Sequence, residues 1–437
     1  MFQYIIRKLG YGLLVLFGVV SLVFVIFNLA PGDPARMMLG QRATAESIAA
    51  IQKELGLDLP KSKQYLLYIN DLLPLSLHNP SRPESHIYLS DEKYSYTRLV
   101  TFGENRALVL KAPYLRRSYQ TKQPVADIIA EAMPGTVVLA VTAITLAIIL
   151  GIGIGILAAV RKDGFLDQSL FVLAVLGMSG PSFFMAIIVS WIGATLWYTT
   201  TSLPALPVLL MLIGLLVGGI AAWRKLLPNK DQTWLVAGRW GAKGLFAGAA
   251  LWFLGKTLNA LAGGDFVPMI EAYIQLPGTG LNASGSLYSY DDYTGEQYLD
   301  LKNLILPALT LGIRPLAIFM QLTRSSMLEV LSADFVRTAR SKGLSFYAVV
   351  VGHALRNALN PVITAISGWF AYLLAGAVFI EFVFTWKGLG YRIYDALIKE
   401  DLPVVMGSVI VIATTFVVIN IVVDIIYGWL DPRVRIQ

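Results

Sequence analysis

Eight apolar runs, each near 20 residues long, dominate this chain: residues 9–30, 135–160, 169–197, 203–223, 244–262, 304–327, 361–384 and 404–429. About 20 residues of helix cross the roughly 30 Å hydrocarbon layer, and inside that layer every backbone N–H and C=O must be satisfied within the chain. The runs therefore predict an all-α polytopic membrane protein with about eight transmembrane helices. Hydrophobic residues make up 56% of the 437 and charged residues only 14%, and mean hydropathy is +0.63. An ordinary soluble domain does not look like this.

Charge sets the orientation. With the amino terminus inside, the segments 1–8, 161–168, 224–243, 324–360 and 430–437 hold 16 Lys/Arg against 6 Asp/Glu, whereas 264–303 sets Lys302 against six acids. This follows the positive-inside rule and leaves both termini in the cytoplasm, so the net charge of +7 reflects topology and not nucleic-acid binding. Arg7 and Lys8 precede the first run, but that run is long and has no small-x-small cleavage site before Pro31-Gly-Asp-Pro34, which reads as an uncleaved anchor. There is no cysteine, so no disulfide holds the outer loops.

The expected organisation is a first helix in 1–30, an extracytoplasmic domain in 31–134, helices two and three in 135–197, a helical hairpin with a basic cytoplasmic link in 198–263, an outer loop in 264–303, core helices in 304–429 and a cytoplasmic tail in 430–437. Within the outer domain, residues 45–56 read as an amphipathic helix with Thr44 as cap and Gly56 as stop, and Tyr94–Phe102 alternates like a strand. Segment 264–303 lacks apolar periodicity and reads as an irregular lid or docking loop.

Enzymatic constellations are weak. Ala250-Leu-Trp-Phe-Leu-Gly255-Lys256-Thr257 fits a relaxed phosphate-loop pattern, but Trp252 and Phe253 in an apolar helix cannot form the glycine cradle whose amides converge on an anion. Lys256 is better read as a snorkelling side chain. Among the three histidines, His78 and His86 lie in the outer region without a carboxylate pattern, so no metal centre is expected. Transport is the stronger class.

One polar stretch stands out. Residues 334–361 run from Asp334-Phe-Val-Arg-Thr-Ala-Arg-Ser-Lys-Gly343-Leu-Ser to His353-Ala-Leu-Arg-Asn-Ala-Leu-Asn-Pro361, a basic segment between two apolar runs. Gly343 breaks the helical pattern and Ser345 is placed to cap a second helix, which predicts helix, turn, helix outside the bilayer. By charge alone it would equally be a solvated basic face near anionic lipid.

The order Thr338-Ala339, three residues, Gly343, nine residues, His353-x-Leu355 resembles the EAA loop of ABC importer permeases, in the form carried by the dipeptide, oligopeptide and nickel import family. Ile6-Arg7-Lys8-Leu9 leading to Ala30-Pro31-Gly32-Asp33-Pro34-Ala35 is similar to that family's opening. So are Met133-Pro134-Gly135-Thr136 leading to Gly151–Ala159, Asp167, Gly180-Pro181-Ser182-Phe183-Phe184, Leu306–Leu311 leading to Arg324–Val330, and Val423-Asp424 leading to Leu430-Asp431-Pro432-Arg433. The match is to the B-type subunit. Trp386-Lys387-Gly388-Leu389-Gly390 stands where relatives carry a Pro-Gly-Leu-Gly turn, so the stiffening proline is missing. Relatives usually have six spans; the hairpin within 203–262 is extra and is read as peripheral packing ahead of a binding surface.

The resemblance implies a type I ABC importer-like transmembrane domain, half of a translocation pathway for peptides or a related solute. It pairs with a homologous C-type permease, two cytoplasmic ABC ATPases and an extracytoplasmic substrate-binding protein, in a bacterial inner membrane. The chain itself binds no cofactor or metal; ATP and Mg belong to the partner ATPases. Arg337, Thr338, Ala339, Gly343, Leu344, His353 and Leu355 are the expected ATPase-coupling residues. Polar groups in apolar spans face cavities more often than lipid, which nominates Arg314, Gln321, Glu381 and Asn420 for the substrate pathway. Arg314-Pro315 is expected to break its helix. The rival readings are an ion-coupled secondary transporter and a membrane-embedded enzyme.

Overall fold

A computed structural model describes the whole chain except Met1 and residues 30–33, 40–43, 55, 83–84, 92, 104, 225–229, 263–271, 292 and 431–437. The motif residues Pro31, Gly32 and Asp33, Lys225 of the basic link and the tail from Asp431, including Arg433, lie outside the described residues.

In chain order, α1 (Phe2–Leu29) leads to a polar segment, which holds α2 (Pro34–Leu39), α3 (Ala45–Glu54), α4 (Lys61–Leu72), β1 (Leu75–His78), β2 (Tyr96–Phe102) and β3 (Arg106–Lys111). Then come α5 (Val125–Val160), α6 (Phe165–Ser179), α7 (Ser182–Trp191), β4 (Thr201–Pro204), α8 (Ala205–Arg224) and α9 (Lys230–Ala262). Three short strands follow, β5 (Tyr273–Leu276), β6 (Tyr288–Tyr290) and β7 (Gln297–Leu299), before α10 (Lys302–Leu331) and α11 (Asp334–Ser341). The chain ends with α12 (Arg356–Ala358), α13 (Asn360–Gly376), α14 (Val378–Val383), α15 (Leu389–Ile398) and α16 (Leu402–Leu430). Two π-helical segments, Ile192–Leu196 and Ala348–Leu355, interrupt the series.

Each expected span has a helix. Ile6–Asn28, Val125–Val160, Val236–Leu261, Lys302–Leu331 and Leu402–Val423 are long and apolar enough to cross a membrane, and Ala205–Gly218 and Asn360–Leu374 are shorter apolar helices. The third run differs from a straight span. It is a bent pair, Asp167–Ser179 with Ser182–Leu196, turned by 116°, because Gly180 ends α6 in an extended conformation and Pro181 has no N–H to continue it. By contrast α10 runs unbroken through Pro307 and Pro315, so the break expected at Arg314-Pro315 does not occur. Packing on neighbouring helices lets a spanning helix keep its path past a proline.

The chain divides into two compact units, one of Met1–Ala140 with Ser367–Gln437 and one of Val141–Ile366. In the first, α1, α4 and α16 meet through Phe24, Tyr68 and Ile410, and the start of α5 packs on α15 and α16 through Val125, Ile129, Leu389, Ile393 and Val405. The first three strands form an antiparallel sheet in the order β1-β3-β2 around Leu89, Tyr94, Ala107 and Val109. Thr44 caps α3, its Oγ1 accepting from the Ser47 amide at 3.2 Å. The turn that lacks a proline is held in another way: Trp386 is fully buried and its Nε1 donates to Gly135 O at 3.0 Å.

In the second unit α5 lies on α10 at backbone contact. A Cβ added at Gly155 would come within 2.6 Å of Thr323 Cβ and 2.7 Å of Met320 O, so small residues bring these helices close, as in other membrane interfaces. The pair α8 and α9 uses the same device: a Cβ at Gly214 would meet Trp240 O at 2.2 Å, and one at Gly244 would meet Leu210 O at 2.1 Å. The described residues of segment 264–303 carry regular structure that the composition did not suggest. β5 pairs with β4, β6 and β7 form a hairpin, and the buried Asn303 donates to Ser286 O at 3.1 Å while accepting from Asn282 Nδ2 at 2.9 Å.

Candidate functional site: the coupling loop

The loop 334–361 is a short helix, a turn and a second helix, all within the Val141–Ile366 unit. α11 buries Val336 (0% exposed) and Ala339 (6%) in a cluster with Ala159 of α5, Met327 of α10 and Val349, Val350, Ala354 and Ala358 of the following helix. A methyl side chain at 339 allows that approach. Leu355 packs on the same cluster, so two of the seven nominated coupling residues seat the loop instead of facing outward.

The other five are exposed. Arg337 pairs with Asp334 at 3.4 Å, but both side chains are largely in solvent, so the pair contributes little and leaves the guanidinium available. Thr338 Oγ1 donates to Asp334 O at 3.0 Å. Gly343 has φ +78° and nothing within 4 Å of a would-be Cβ. Backbone handedness, not crowding, is what asks for glycine there. Leu344 is 42% exposed, Ser345 Oγ accepts from Ala348 N at 3.3 Å as the expected cap, and the His353 carbonyl accepts from Asn357 Nδ2 at 3.0 Å.

Sequence reasoning missed the apolar half of this face. Phe335, Phe346 and Tyr347 are exposed, Tyr347 at 75%, among Arg337, Arg340, Lys342 and Arg356. Aromatic residues with arginine mark the centre of protein interfaces. The available signal was three aromatics in an otherwise basic, soluble-looking stretch. The π-helical segment that follows Tyr347 had no sequence signal, although such segments often occur at functional sites.

The loop is braced from behind by the pair Asp167 and Arg324. Arg324 Nε donates to Asp167 Oδ1 at 2.5 Å and Nη2 to Oδ2 at 2.6 Å, while the Asp163 amide donates to Oδ2 at 3.0 Å. This ties the α5–α6 turn to α10, the helix that leads into α11.

The pathway candidates fall in both units, Arg314 and Gln321 in one and Glu381 and Asn420 in the other. Arg314 and Gln321 lie two turns apart on one side of α10 and are half-buried; among the described residues Arg314 has no ion-pair partner. Glu381 is held by hydrogen bonds of the fold. It is fully buried in the other unit, where its carboxylate accepts from Thr136 Oγ1 at 2.7 Å, from Tyr391 N at 3.0 Å and from Gly390 N. It caps the start of α15, as a buried carboxylate is tolerated only when its lone pairs are satisfied. Asn420 on α16 turns back on its own helix, its Nδ2 donating to Phe416 O at 2.8 Å.

Comparison with known proteins gives this geometry a family. The family described as "Binding-protein-dependent transport system inner membrane component" matches residues 151–436, and the N-terminal family of such membrane components matches residues 1–78. The chain is 30% identical over 437 positions to the dipeptide transport system permease protein DppB of Alkalihalophilus pseudofirmus, covering 100% of each. It is 30% identical to the protein of the same name in Escherichia coli K12, covering 100% of this chain and 99% of the relative, and 32% identical to the di/tripeptide transport system permease protein DppB of Pseudomonas aeruginosa, covering 100% of each. A loop seated in the helix core and open on its outer face, in a multi-pass chain similar to these relatives from end to end, leads to one conclusion: the chain belongs to the binding-protein-dependent transport system inner membrane components, the permease subunits of ABC importers.

Proposed function

We propose that this permease carries peptides, working as the B-type half of a translocation pathway whose other half is a homologous C-type permease. Two cytoplasmic ATPases bind and hydrolyse ATP with Mg, an extracytoplasmic binding protein delivers the substrate, and both termini lie in the cytoplasm. The names of the full-length relatives support the peptide class. The observation that carries the ATPase contact is the two-sidedness of the loop: Val336 and Ala339 are locked into the core, while Phe335, Leu344, Phe346 and Tyr347 are displayed beside arginines. A push on the outer face is thereby transmitted to α5 and α10 as a rigid element, which is what alternating access requires.

Copurification tests this reading. The tagged wild type should recover a second permease and ATPases from its native membrane, and a Phe346→Asp/Tyr347→Asp variant should lose the ATPases while keeping the permease partner. A wild-type chain that purifies alone and transports in liposomes without nucleotide would overturn the reading in favour of an ion-coupled secondary transporter.

A further inference from the structure

In the Met1–Ala140 and Ser367–Gln437 unit, a cavity of about 60 Å³ opens between α1, α4 and α16. Phe24 and Phe27 of α1 and Leu402 and Met406 of α16 form its apolar side, and Arg116 stands on its polar side. Its depth is set by the chain. The apolar span of α1 ends at Asn28 and that of α16 begins at Leu402, so the walls belong to the last turns inside the hydrocarbon and the polar side sits at headgroup level.

The polar side is built for an anion. Gln64 is buried and its Nε2 donates to Leu57 O at 2.9 Å and Leu59 O at 2.8 Å, while Asn28 Nδ2 donates to Phe24 O at 2.9 Å. Their oxygens hold the Lys61 ammonium, at 2.9 Å from Asn28 Oδ1 and 3.5 Å from Gln64 Oε1. The neutral amides are thus engaged within the fold; Arg116 lines the cavity, and the exposed Lys61 stands beside it on two of the lining residues, Asn28 and Gln64. The Arg116 guanidinium lies over the Tyr68 ring at 5.4 Å. Its nearest carboxylate, Asp71, is 4.0 Å from Nε and already accepts from Tyr94 Oη at 2.9 Å. Among the described residues no hydrogen bond engages the Arg116 side chain. Tyr68 is 4% exposed and its hydroxyl has no partner; it lines a smaller void beside the first that also touches Arg116 and Met406.

We propose that this cavity is a phospholipid site of the outer leaflet, with the phosphate held by Arg116 and Lys61 and an acyl chain lying along Phe24, Phe27, Leu402 and Met406. Guanidinium matches phosphate in a two-pronged geometry that a water cannot replace. A free phosphate would answer only the cations, whereas one phospholipid answers the cations and the adjoining apolar wall with a single molecule, which favours the lipid over the free anion. The site lies outside the coupling loop and does not rest on the proposed peptide pathway; its assignment to the outer leaflet rests on the proposed cytoplasmic placement of the termini.

Native mass spectrometry of the full complex, released from mild detergent, reads the bound lipid. The wild type should keep one phospholipid on this chain through delipidation. Met406→Trp, which fills the cavity without touching a cation, and Arg116→Gln should each cut its occupancy at least tenfold. Met406→Trp with an unchanged melting temperature separates lost binding from lost folding. Millimolar inorganic phosphate should leave the lipid in place. Equal retention in wild type and Met406→Trp, a wild type that keeps no lipid, or displacement by phosphate or by a dipeptide would each overturn the proposal, the last two marking a soluble-anion or substrate site.

Discussion

Arg324 grips Asp167 with two nitrogens, at 2.5 and 2.6 Å, and the carboxylate is only 3% exposed whereas the guanidinium is 25% exposed. The asymmetry predicts unequal mutants. Arg324→Leu leaves a buried carboxylate without its counter-ion and should cost about 3 kcal/mol. Asp167→Asn/Arg324→Leu removes both charges and should recover a good part of that loss. Thermal unfolding of the three proteins in one detergent checks this, and equal stability of the single and double mutants would sink it.

The contact of α5 with α10 predicts that glycine matters at one position and not at its neighbour. At Gly155 an added methyl group meets Thr323 and the Met320 carbonyl below 3 Å, whereas at Gly153 it meets nothing within 4 Å. Gly155→Ala should therefore cost about 1–3 kcal/mol through overpacking, and Gly153→Ala should be neutral or slightly stabilising. The same melting experiment separates them.

Much of this molecule could be read from sequence because the bilayer permits so few solutions. Apolar length set the spans, Gly343 and Ser345 set the loop's turn and cap, and Thr44 set the start of α3. Charge pairing could not be read in the same way. Asp167 and Arg324 are 157 positions apart, and nothing local says they meet. Glu381 shows the same limit: its hydrogen-bond partner Thr136 is 245 positions away, and nothing local says they meet. Proline was read inconsistently because its effect depends on neighbours. Pro181 follows a glycine and ends a helix, whereas Pro315 sits inside a packed helix and does not.

Gly343 separates a conformational requirement from a steric one. With φ +78° and open space around it, Asn, which enters the left-handed region readily, should be tolerated, whereas β-branched Val should disfavour the turn by about 1–2 kcal/mol. In a reconstituted importer Gly343→Asn should retain most substrate-stimulated ATPase activity and Gly343→Val should lose most of it, with both chains still inserted. Equal activity of the two variants would remove the turn from the coupling path.

His78 gives the outer sheet a pH dependence. Its ring is fully buried, tilted against the Tyr94 ring at 4.7 Å between centroids, and the Ile87 carbonyl at 3.2 Å from Nδ1 can only accept, so Nδ1 carries the proton and Nε2 accepts from Ser76 Oγ at 3.1 Å. Burial, with the Lys111 ammonium nearby, holds its pKa below the ordinary 6.5, against a smaller opposing effect of the Ile87 carbonyl. Between the folded value and 6.5 the unfolded chain binds more protons. The stabilisation is therefore complete above 6.5 and is lost as pH falls through the folded value. Asp71 acts in the opposite sense, because burial pushes its carboxyl above the ordinary range. The His78 contribution must be read as the difference between wild type and His78→Gln. Hydrogen exchange of the β1 and β3 amides, corrected for intrinsic rates, should show wild-type protection falling from pH 7.5 to pH 5 more steeply than in His78→Gln. Parallel pH profiles would mean that His78 takes up its proton in the folded sheet as readily as in the unfolded chain, and would overturn the prediction.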